Sequence, residues 1–548
     1  MVRTVCLLPT TLIGLALAGP LTAAESSRLA GLEQIYADFN DAQGAVAYLD
    51  SGSLAQDRYA GRSRQEWQQV YVADRTRLLA GLKTVAVPGA ARDRRALSVM
   101  RAAVQESPPA PESLAPVGRC SETRAVQSLR RLQQSLYACF SELGNQLSFE
   151  GGTVTRVAAF ELLTRLPEPE RRRALFMAFV PLWRALNGSG EANSPYRRMI
   201  LRAAAQARRR GSAVTAAAQT LGVSAQEVER WLERVLRTWA DVAPAEPVEP
   251  WDYRFAAGPA ERELAEAVPR EALRGLNQRF YEDLGLNLAG AQVVYDLEPR
   301  AGKAPLAYTD YIRRGRMEAG TWQPTLVRVS ASYERGGLGP LNELVHENGH
   351  AAHMLALRTR PAFMDLGDAL FYEAFADVPA WSVYEAAWQQ KYLGRHSDPA
   401  AALRAHHSAV MLDVAWALFD CRMLDRPGAD PNQVWTDITS RYLHVIPHPE
   451  LPWWAMRVQL VDEPGYMVNY GLGAVITADL RRRIQEQIGS FDAGNPRWFV
   501  WLQAQLLGSG EEYPTSQLLR RFLGRPVSTA ALLQQLRRDA WPPEAAGL

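Results

Sequence analysis

The stretch "LNELVHENGHAAHM", residues 341–354, contains the pattern H-E-x-x-H at His346, Glu347 and His350. In a helix, positions four residues apart lie on one face, so both imidazoles can reach one cation, at about 2.0–2.1 Å for zinc. Glu347 lies roughly 100° further round, where a general base for an activated water is needed. The stretch therefore predicts a helix with a zinc site. The alternative is an ordinary helix with surface histidines.

The distribution of histidines points to the same part of the chain. All eight histidines fall between residues 346 and 448 of the 548-residue chain, and the first 345 residues contain none. Chemistry that requires imidazole is therefore expected only after residue 345.

A third metal ligand is expected on the next helix, because a hydrolytic zinc site needs three protein ligands and one open position. Residues 365–390, "DLGDALFYEAFADVPAWSVYEAAWQQ", carry Glu373 and Asp377 four residues apart. Glu373 would complete the set with His346 and His350. Asp377 would accept a hydrogen bond from the second ring N–H of one bound histidine. Apolar neighbours argue against a free surface helix: Leu370, Phe371, Ala374, Phe375, Val378 and Trp381.

Composition describes a globular chain without a strongly charged partner. The hydrophobic content is 47%, and 61 basic against 59 acidic residues leave a net charge of +2. This balance indicates neither nucleic acid nor an anionic membrane as a partner. Helical periodicity predicts a mainly α protein. Proline-rich connectors at 106–116 and 243–250 place the main boundary near residue 250, between an N-terminal helical region (25–249) and a catalytic region (250–548).

The N-terminus is typical of a secretory signal peptide, predicted over residues 1–24. Arg3 supplies the positive charge, an apolar run follows, and Thr22-Ala23-Ala24 offers small residues for cleavage. The alternative is a buried N-terminal helix. The signal peptide predicts a secreted or periplasmic protein, and no later stretch is apolar for long enough to span a bilayer.

An oxidising compartment makes a disulfide between Cys120 and Cys139 plausible, because they lie close together in residues 118–143. Two buried free thiols are the alternative. Cys421 lies in an apolar helical segment and is expected to be a small core residue.

A short β-strand is expected just before the histidine helix. Residues 324–337, "PTLVRVSASYERGG", alternate in side-chain character, are rich in β-branched residues and end at two glycines. The helix should then begin near Pro340.

Several of these segments resemble the gluzincin metallopeptidases. "HENGHAAH" (346–353) resembles the H-E-x-G-H-x-x-H of the thimet oligopeptidase family, and "EPWDYRF" (249–255) resembles the Trp-Asp segment that opens its catalytic region. "FYEAFADVPAWSVYE" (371–385), "RFYEDLGL" (279–286) and "VSASYE" (329–334) resemble segments of the angiotensin-converting enzyme family. The resemblance covers roughly residues 250–525, including "LLRRFLGRPVSTAALLQQL", and does not extend to residues 25–240.

The resemblance implies a two-lobed, mainly α metallopeptidase. It would have a deep channel, one zinc ion at the channel floor, and N-terminal helices as a cover. An edge β-strand beside the zinc helix would pair with an extended peptide, which is β-augmentation. Ser330, Ala331 and Ser332 are therefore expected to bind the substrate backbone. An ordinary edge strand is the alternative.

The resemblance also implies a tyrosine that stabilises the oxyanion. Residues 462–474, "DEPGYMVNYGLGA", offer Tyr466 and Tyr470, and the choice between them stays open. A further tyrosine of the family pattern is replaced by Gly473, and no histidine shortly precedes Tyr466. Arg457 could bind a substrate carboxylate, with a structural arginine as the alternative.

His353 lies on nearly the same helix face as His346 but is expected to stand behind the ligands or in the core, because sites of this kind take three protein ligands. The resulting hypothesis is an exported zinc peptidase of dipeptidyl carboxypeptidase or oligopeptidase type, with Glu347 as general base. Two alternatives stay open: an inactive periplasmic peptide-binding scaffold, and a zinc amidohydrolase acting on cell-wall peptides.

Overall fold

The computed structural model describes residues 23–50, 57–111, 118–244, 246–288, 290, 293–300, 303 and 306–540. The predicted signal peptide, residues 1–24, lies almost wholly outside this range and stays a prediction. Among the described residues, no helix combines the length and apolar character needed to cross a membrane.

Helices dominate the described chain, which confirms the mainly α prediction. In chain order they are α1 (Ala23–Asp50), α2 (Arg64–Thr84), α3 (Ala91–Glu106), α4 (Leu129–Leu143), α5 (Arg156–Arg165), α6 (Pro169–Met177), α7 (Val180–Asn187), α8 (Pro195–Arg210), α9 (Ala213–Leu221), α10 (Ala225–Val242), α11 (Tyr253–Ala257), α12 (Pro259–Leu264), α13 (Leu273–Asp283), α14 (Leu338–Ala356), α15 (Ala369–Ala380), α16 (Ala386–Leu393), α17 (Pro399–Asp425), α18 (Pro431–Leu443), α19 (Gln459–Asp462), α20 (Met467–Ile488), α21 (Trp498–Leu502), α22 (Thr515–Leu523) and α23 (Ala530–Ala540).

The strands of the described residues are short and form small sheets. They are β1 (Arg58–Tyr59), β2 (Arg62–Ser63), β3 (Leu147–Phe149), β4 (Gly152–Val154), β5 (Val293–Asp296), β6 (Tyr308–Arg313), β7 (Arg316–Glu318), β8 (Thr321–Gln323) and β9 (Leu326–Ser330). Pairs β1-β2, β3-β4 and β7-β8 are antiparallel hairpins, and β5, β9 and β6 form a three-stranded sheet.

The strand predicted before the histidine helix is present as β9, but it is not an edge strand. The sheet order is β5-β9-β6, so β9 pairs in parallel with β5 and antiparallel with β6. Ser330 lies opposite Asp296 on one side and Tyr308 on the other. The predicted edge position is therefore wrong. The alternating pattern of residues 326–333 indicates a strand, but the neighbours of that strand come from distant segments.

Helix α14 carries the H-E-x-x-H stretch and begins at Leu338, close to the predicted start. Gly337 adopts a φ of 127°, in the region that favours glycine. Glu261 Oε2 accepts a hydrogen bond from the Gly339 N–H at 2.9 Å, which satisfies one of the free amides at the helix start. Pro340 is tolerated because first-turn amides have no intrahelical partner.

Buried apolar side chains form two clusters among the described residues. The larger cluster runs from Leu132 to Leu536 and includes the apolar faces of α14, α15, α17 and α20. It continues across the predicted boundary near residue 250, and the proposed division of the chain there stays a prediction. The smaller cluster joins α1, α2 and α3 and includes Ala362 and Phe363.

Ion pairs attach the first three helices to the rest of the protein. The Arg360 guanidinium lies 2.7 Å from Glu33 on α1 and 2.6 Å from Asp93 on α3. Arg316 on β7 lies 2.9 Å from Asp38 on α1. Helices α1–α3 are therefore held against the larger core by charged contacts as well as by the small apolar cluster.

Cys120 and Cys139 form a disulfide with a Cα–Cα distance of 4.5 Å, as the sequence suggested. The bond ties the turn at Cys120–Glu122 to α4. Cys421 is a buried free thiol on α17, in agreement with its predicted core role.

Candidate metal centre and adjoining cavity

The candidate metal centre forms where α14 crosses α15. A Cβ atom added to Gly349 of α14 would lie 2.6 Å from the carbonyl oxygen and 2.7 Å from the Cα of Ala376 on α15. Only glycine therefore permits this approach of the two backbones. The close crossing brings His346 and His350 of α14 to Glu373 of α15.

The donor atoms of these three residues have the spacing of a zinc site. Glu373 Oε2 lies 3.4 Å from His346 Nε2 and 3.7 Å from His350 Nε2, and one ligand atom from each residue lies within 4.8 Å of the others. Tetrahedral zinc with bonds of about 2.0–2.2 Å separates its donor atoms by about 3.4 Å. The residues present therefore fit a zinc ion.

Asp377 holds the first histidine in the orientation that a metal ligand needs. Its Oδ1 lies 2.7 Å from His346 Nδ1, which leaves His346 Nε2 directed at Glu373. Burial alone would lower the pKa of His346, but Asp377 and Glu373 raise it well above its usual value. The pair of carboxylates thus favours positive charge at this position, which a bound cation would supply.

Glu347 lies beside the donor atoms and faces the cavity. Its side chain is buried, and the Thr309 hydroxyl of β6 lies 2.7 Å from its Oε2. Burial raises the pKa of Glu347, the two histidines oppose this effect, and Glu373 adds to it. The structure thus places a carboxylate oxygen next to the candidate metal ligands, and Thr309 fixes its orientation.

The two tyrosines of the 462–474 segment have different surroundings. Tyr466 donates a hydrogen bond to Glu373 Oε1 at 2.7 Å, and its hydroxyl lies 3.1 Å from that of Tyr372. Tyr470, one turn later on α20, lines the cavity. Burial and then Glu373 raise the pKa of both Tyr466 and Tyr470, so both phenols stay protonated. Tyr470 is the one that can donate into the cavity, whereas Tyr466 supports the candidate ligand Glu373.

Gly473 stands where the thimet oligopeptidase pattern has a further tyrosine, and it lies where α20 packs against α15. A Cβ atom at Gly473 would stand 3.7 Å from the backbone nitrogen of Ala374. This position faces α15, and the packing explains why it carries no large side chain.

His353 is not part of the candidate ligand set. Its ring lies between Phe371 and Phe375, with ring centres 5.3 and 5.2 Å away. Burial and then His350 lower the pKa of His353 to about 3, so the ring is neutral. It packs behind the ligand helix, in the position that the sequence suggested.

Arg457 lines the cavity, but its charge is already balanced. A guanidinium nitrogen lies 2.7 Å from Asp413 Oδ1, and the guanidinium carbon stands 5.4 Å from the Tyr470 ring centre. The structural interpretation of Arg457 therefore accounts for its contacts better than a free carboxylate-binding role.

Two of the three residues predicted to bind the substrate backbone, Ser330 and Ala331, already form hydrogen bonds within the protein. Ser330 is fully buried and paired on both sides, and its hydroxyl lies 3.4 Å from Asp296 Oδ2. The Ala331 N–H donates to the Asp296 carbonyl at 3.0 Å, and its carbonyl accepts a hydrogen bond from Lys303. Ser330 and Ala331 are thus unavailable to a peptide, because β5 already occupies that side of the chain. Ser332 lines the cavity and remains a candidate.

The cavity has a volume of about 860 Å³ and extends from the metal ligands to the N-terminal region. Its walls come chiefly from α5, α11, α14, α17 and α20. His346, Glu347, Asp377 and Tyr470 lie on the α14, α15 and α20 side, and α5 contributes Phe160. A volume of this size is typical of sites that enclose a ligand.

Sequence reasoning missed three residues at this site. Thr309 and Tyr372 orient Glu347 and Tyr466, respectively, and Arg254 lines the cavity. Arg254 lies inside the "EPWDYRF" segment, which is one of those that resemble the thimet oligopeptidase family. That segment could therefore have indicated Arg254 as a residue of the site. Thr309 belongs to a strand that no sequence pattern singled out.

No protein-family model and no curated protein sequence matches this chain significantly. Solved structures do match it in fold. An M32 carboxypeptidase from Deinococcus radiodurans R1 is 15% identical, with a TM-score of 0.59 over 96% of this chain and 100% of that chain. PZ peptidase A with an inhibitor is 14% identical, with a TM-score of 0.58 over 90% of this chain and 85% of that chain. The chain therefore shares its overall fold with these structures.

Proposed function

We propose that this chain is a zinc-dependent peptidase that hydrolyses short or unstructured peptides. The observation that carries the proposal is the convergence of His346 Nε2, His350 Nε2 and Glu373 Oε2 at zinc-like spacing, with Glu347 beside them on the cavity wall. The fold shared with a carboxypeptidase and with a peptidase supports the same function. So does the motif resemblance to gluzincin families.

His346, His350 and Glu373 would hold the ion, which when bound supplies Lewis acidity toward the scissile carbonyl and toward a water molecule. Asp377 keeps the proton of His346 on Nδ1, so that Nε2 is free to bind. Tyr466 donates to the second oxygen of Glu373 and fixes the direction of that carboxylate.

Glu347 acts as the general base and then as the general acid. It takes a proton from the attacking water and delivers it to the leaving amine. The Thr309 hydroxyl holds its carboxylate in place through both steps. Tyr470 donates its phenol proton in a hydrogen bond to the oxyanion that develops on the substrate carbonyl.

The export predicted from residues 1–24 remains part of the proposal. The Cys120–Cys139 disulfide supports it, because such bonds persist in oxidising compartments. A secreted or periplasmic location would give the cavity access to peptides outside the cytoplasm.

Peptide digestion tests the proposed function directly. Zinc-loaded protein incubated with a mixture of unstructured peptides and with cell-wall peptides should yield cleaved products of the former, identified by mass spectrometry. Products from cell-wall peptides alone would favour the amidohydrolase alternative. Binding of peptides without any product would favour the inactive scaffold and contradict the proposal.

Phenylalanine substitutions separate the roles of the two tyrosines. Tyr470→Phe should lower kcat on the order of 10²- to 10³-fold with little change in zinc affinity, since it removes an oxyanion donor. Tyr466→Phe should instead weaken zinc binding by about 10- to 100-fold, because it releases a ligand from its supporting hydrogen bond. Steady-state kinetics and competition with a zinc-binding dye measure the two effects. The reverse pattern would exchange the assignments.

A further inference from the structure

One cation that lines the cavity has no ion-pair partner within the described part of the chain. Arg254 on α11 lines the cavity, and no described residue forms a hydrogen bond or an ion pair with its guanidinium. It stacks on Phe160, where the guanidinium carbon stands 4.2 Å from the ring centre. Stacking on a phenyl ring leaves the N–H groups of a guanidinium free to bind a ligand.

A second guanidinium stands beside the same ring. The Arg156 guanidinium carbon lies 5.4 Å from the Phe160 ring centre, and Arg156 also lines the cavity. Burial first, and then Arg457, lower the pKa of Arg254 and that of Arg156 to about 10. Two guanidinium groups of the cavity wall thus stand against one phenyl ring, and the charge of Arg457 acts on both.

None of the nearby carboxylates of the described residues forms an ion pair with Arg254. Asp413 is paired with Arg457 at 2.7 Å, and its charge also acts on Arg254. Glu343 is exposed, and its charge acts on Arg156. Like charges removed from water destabilise a protein unless an anion accompanies them. The arrangement therefore favours an anionic ligand at this end of the cavity.

We propose that Arg254, assisted by Arg156, binds a carboxylate of the peptide substrate; this inference rests on the proposed peptidase function. A guanidinium presents parallel N–H donors that match the two oxygens of a carboxylate. Arg254 and Arg156 line the same cavity as Glu347 and Tyr470, so a carboxylate bound there lies in the cavity of the reacting groups. The substrate class is thus a peptide with a carboxylate within a few residues of the cleaved bond.

Two sources can supply that carboxylate: the free C-terminus of the peptide, or an aspartate or glutamate side chain. A peptide whose C-terminus is bound near the reacting groups would lose a short C-terminal fragment, whereas recognition of an acidic side chain would permit internal cleavage. The chemistry at Arg254 is the same in both cases.

Four matched peptides distinguish the sources: one sequence with Glu or Gln near its C-terminus, each with a free or an amidated C-terminus. Their affinities are measured with zinc-loaded Glu347→Gln protein by fluorescence anisotropy, so that no cleavage is needed. We expect the peptide with the recognised carboxylate to bind about 10- to 100-fold more tightly than its neutral counterpart. Dependence on the free terminus identifies the first source, and dependence on Glu identifies the second.

Variants at Arg254 test whether this residue causes the tighter binding of the peptide that carries the recognised carboxylate. In the Glu347→Gln background, Arg254→Gln should abolish the preference, and Arg254→Lys should retain part of it, because lysine keeps the charge but not the fork of donors. Arg173→Gln is the matched control. Arg173 also stacks on an aromatic ring, that of Trp251 at 5.3 Å, but it does not line the cavity. Unfolding midpoints measured in parallel verify that each variant is folded.

Equal affinity for all four peptides would overturn the inference, and so would a preference that survives Arg254→Gln unchanged. If Arg254→Gln does not fold, the same decision is made from Arg254→Lys and from the four peptides with the parent protein. Digestion of the same peptides by the unmodified protein tests the peptidase function separately. Carboxylate-dependent binding without cleavage would sustain the inference while contradicting the proposed function.

Discussion

Replacing Glu347 by glutamine should reduce kcat on the order of 10³-fold or more, while the protein keeps its zinc. Glutamine has nearly the same shape but cannot accept and return the proton, and general acid–base catalysis commonly contributes about 10²- to 10⁴-fold. The bound-metal content should not fall, because Glu347 is not among the three ligands that converge on one point. Steady-state kinetics on a cleaved peptide and elemental analysis of the purified variant measure the two quantities.

Glu343→Gln is the matched control for this experiment. Glu343 lies one turn earlier on α14, lines the same cavity and also has a raised pKa, although its side chain is exposed whereas that of Glu347 is buried. It is not one of the candidate ligands and forms no hydrogen bond with them in the described structure, so its replacement should lower kcat by less than about tenfold. Retention of activity in Glu347→Gln, or an equal loss in both variants, would contradict the role assigned to Glu347.

Replacing His350 by alanine should eliminate both zinc binding and activity. The variant keeps only two of the three protein ligands, His346 and Glu373. A catalytic zinc site needs three protein ligands, so the ion should no longer be held. Zinc at about 100 times its Kd stabilises a folded protein by about 2.7 kcal/mol, and the corresponding rise in Tm should disappear in His350→Ala. Elemental analysis and thermal unfolding with and without zinc provide the measurement.

His353→Ala tests whether the third histidine of the motif is a ligand. His353 lies between two phenyl rings and outside the ligand set, so the variant should bind zinc as the unmodified protein does. Its Tm should be lower with and without zinc, because removal of a buried ring leaves a cavity. Loss of zinc in His353→Ala, with zinc retained in His350→Ala, would reverse the assignment of ligands.

Local spacing makes the candidate metal centre predictable from the amino-acid sequence. Residues four apart on a helix share a face, so H-E-x-x-H and the pair Glu373 and Asp377 each specify which side chains point together. The apolar flanks of Glu373 indicate that its helix is buried, and only a buried helix could meet α14. The short loop between Cys120 and Cys139 makes a disulfide plausible for a similar reason, since both ends are near in sequence.

The roles of the remaining cavity residues depend on partners that are far away in sequence. Tyr466 and Tyr470 are equivalent in the sequence, and only their contacts with Glu373 and the cavity separate them. Arg457 is a plausible carboxylate-binding residue by sequence, but Asp413 of α17 lies beside it and balances its charge.

The sequence by itself determined a mainly α protein with a candidate metal site on its helices, because helical periodicity and ligand spacing are properties of a few consecutive turns. Only the tertiary structure placed β9 at the centre of its sheet and left Arg254 without an ion-pair partner among the described residues. Sheet order and charge balance are set by segments such as β5, β6 and α5, which meet these residues only after the chain has folded. A pattern in one segment carries no information about such neighbours.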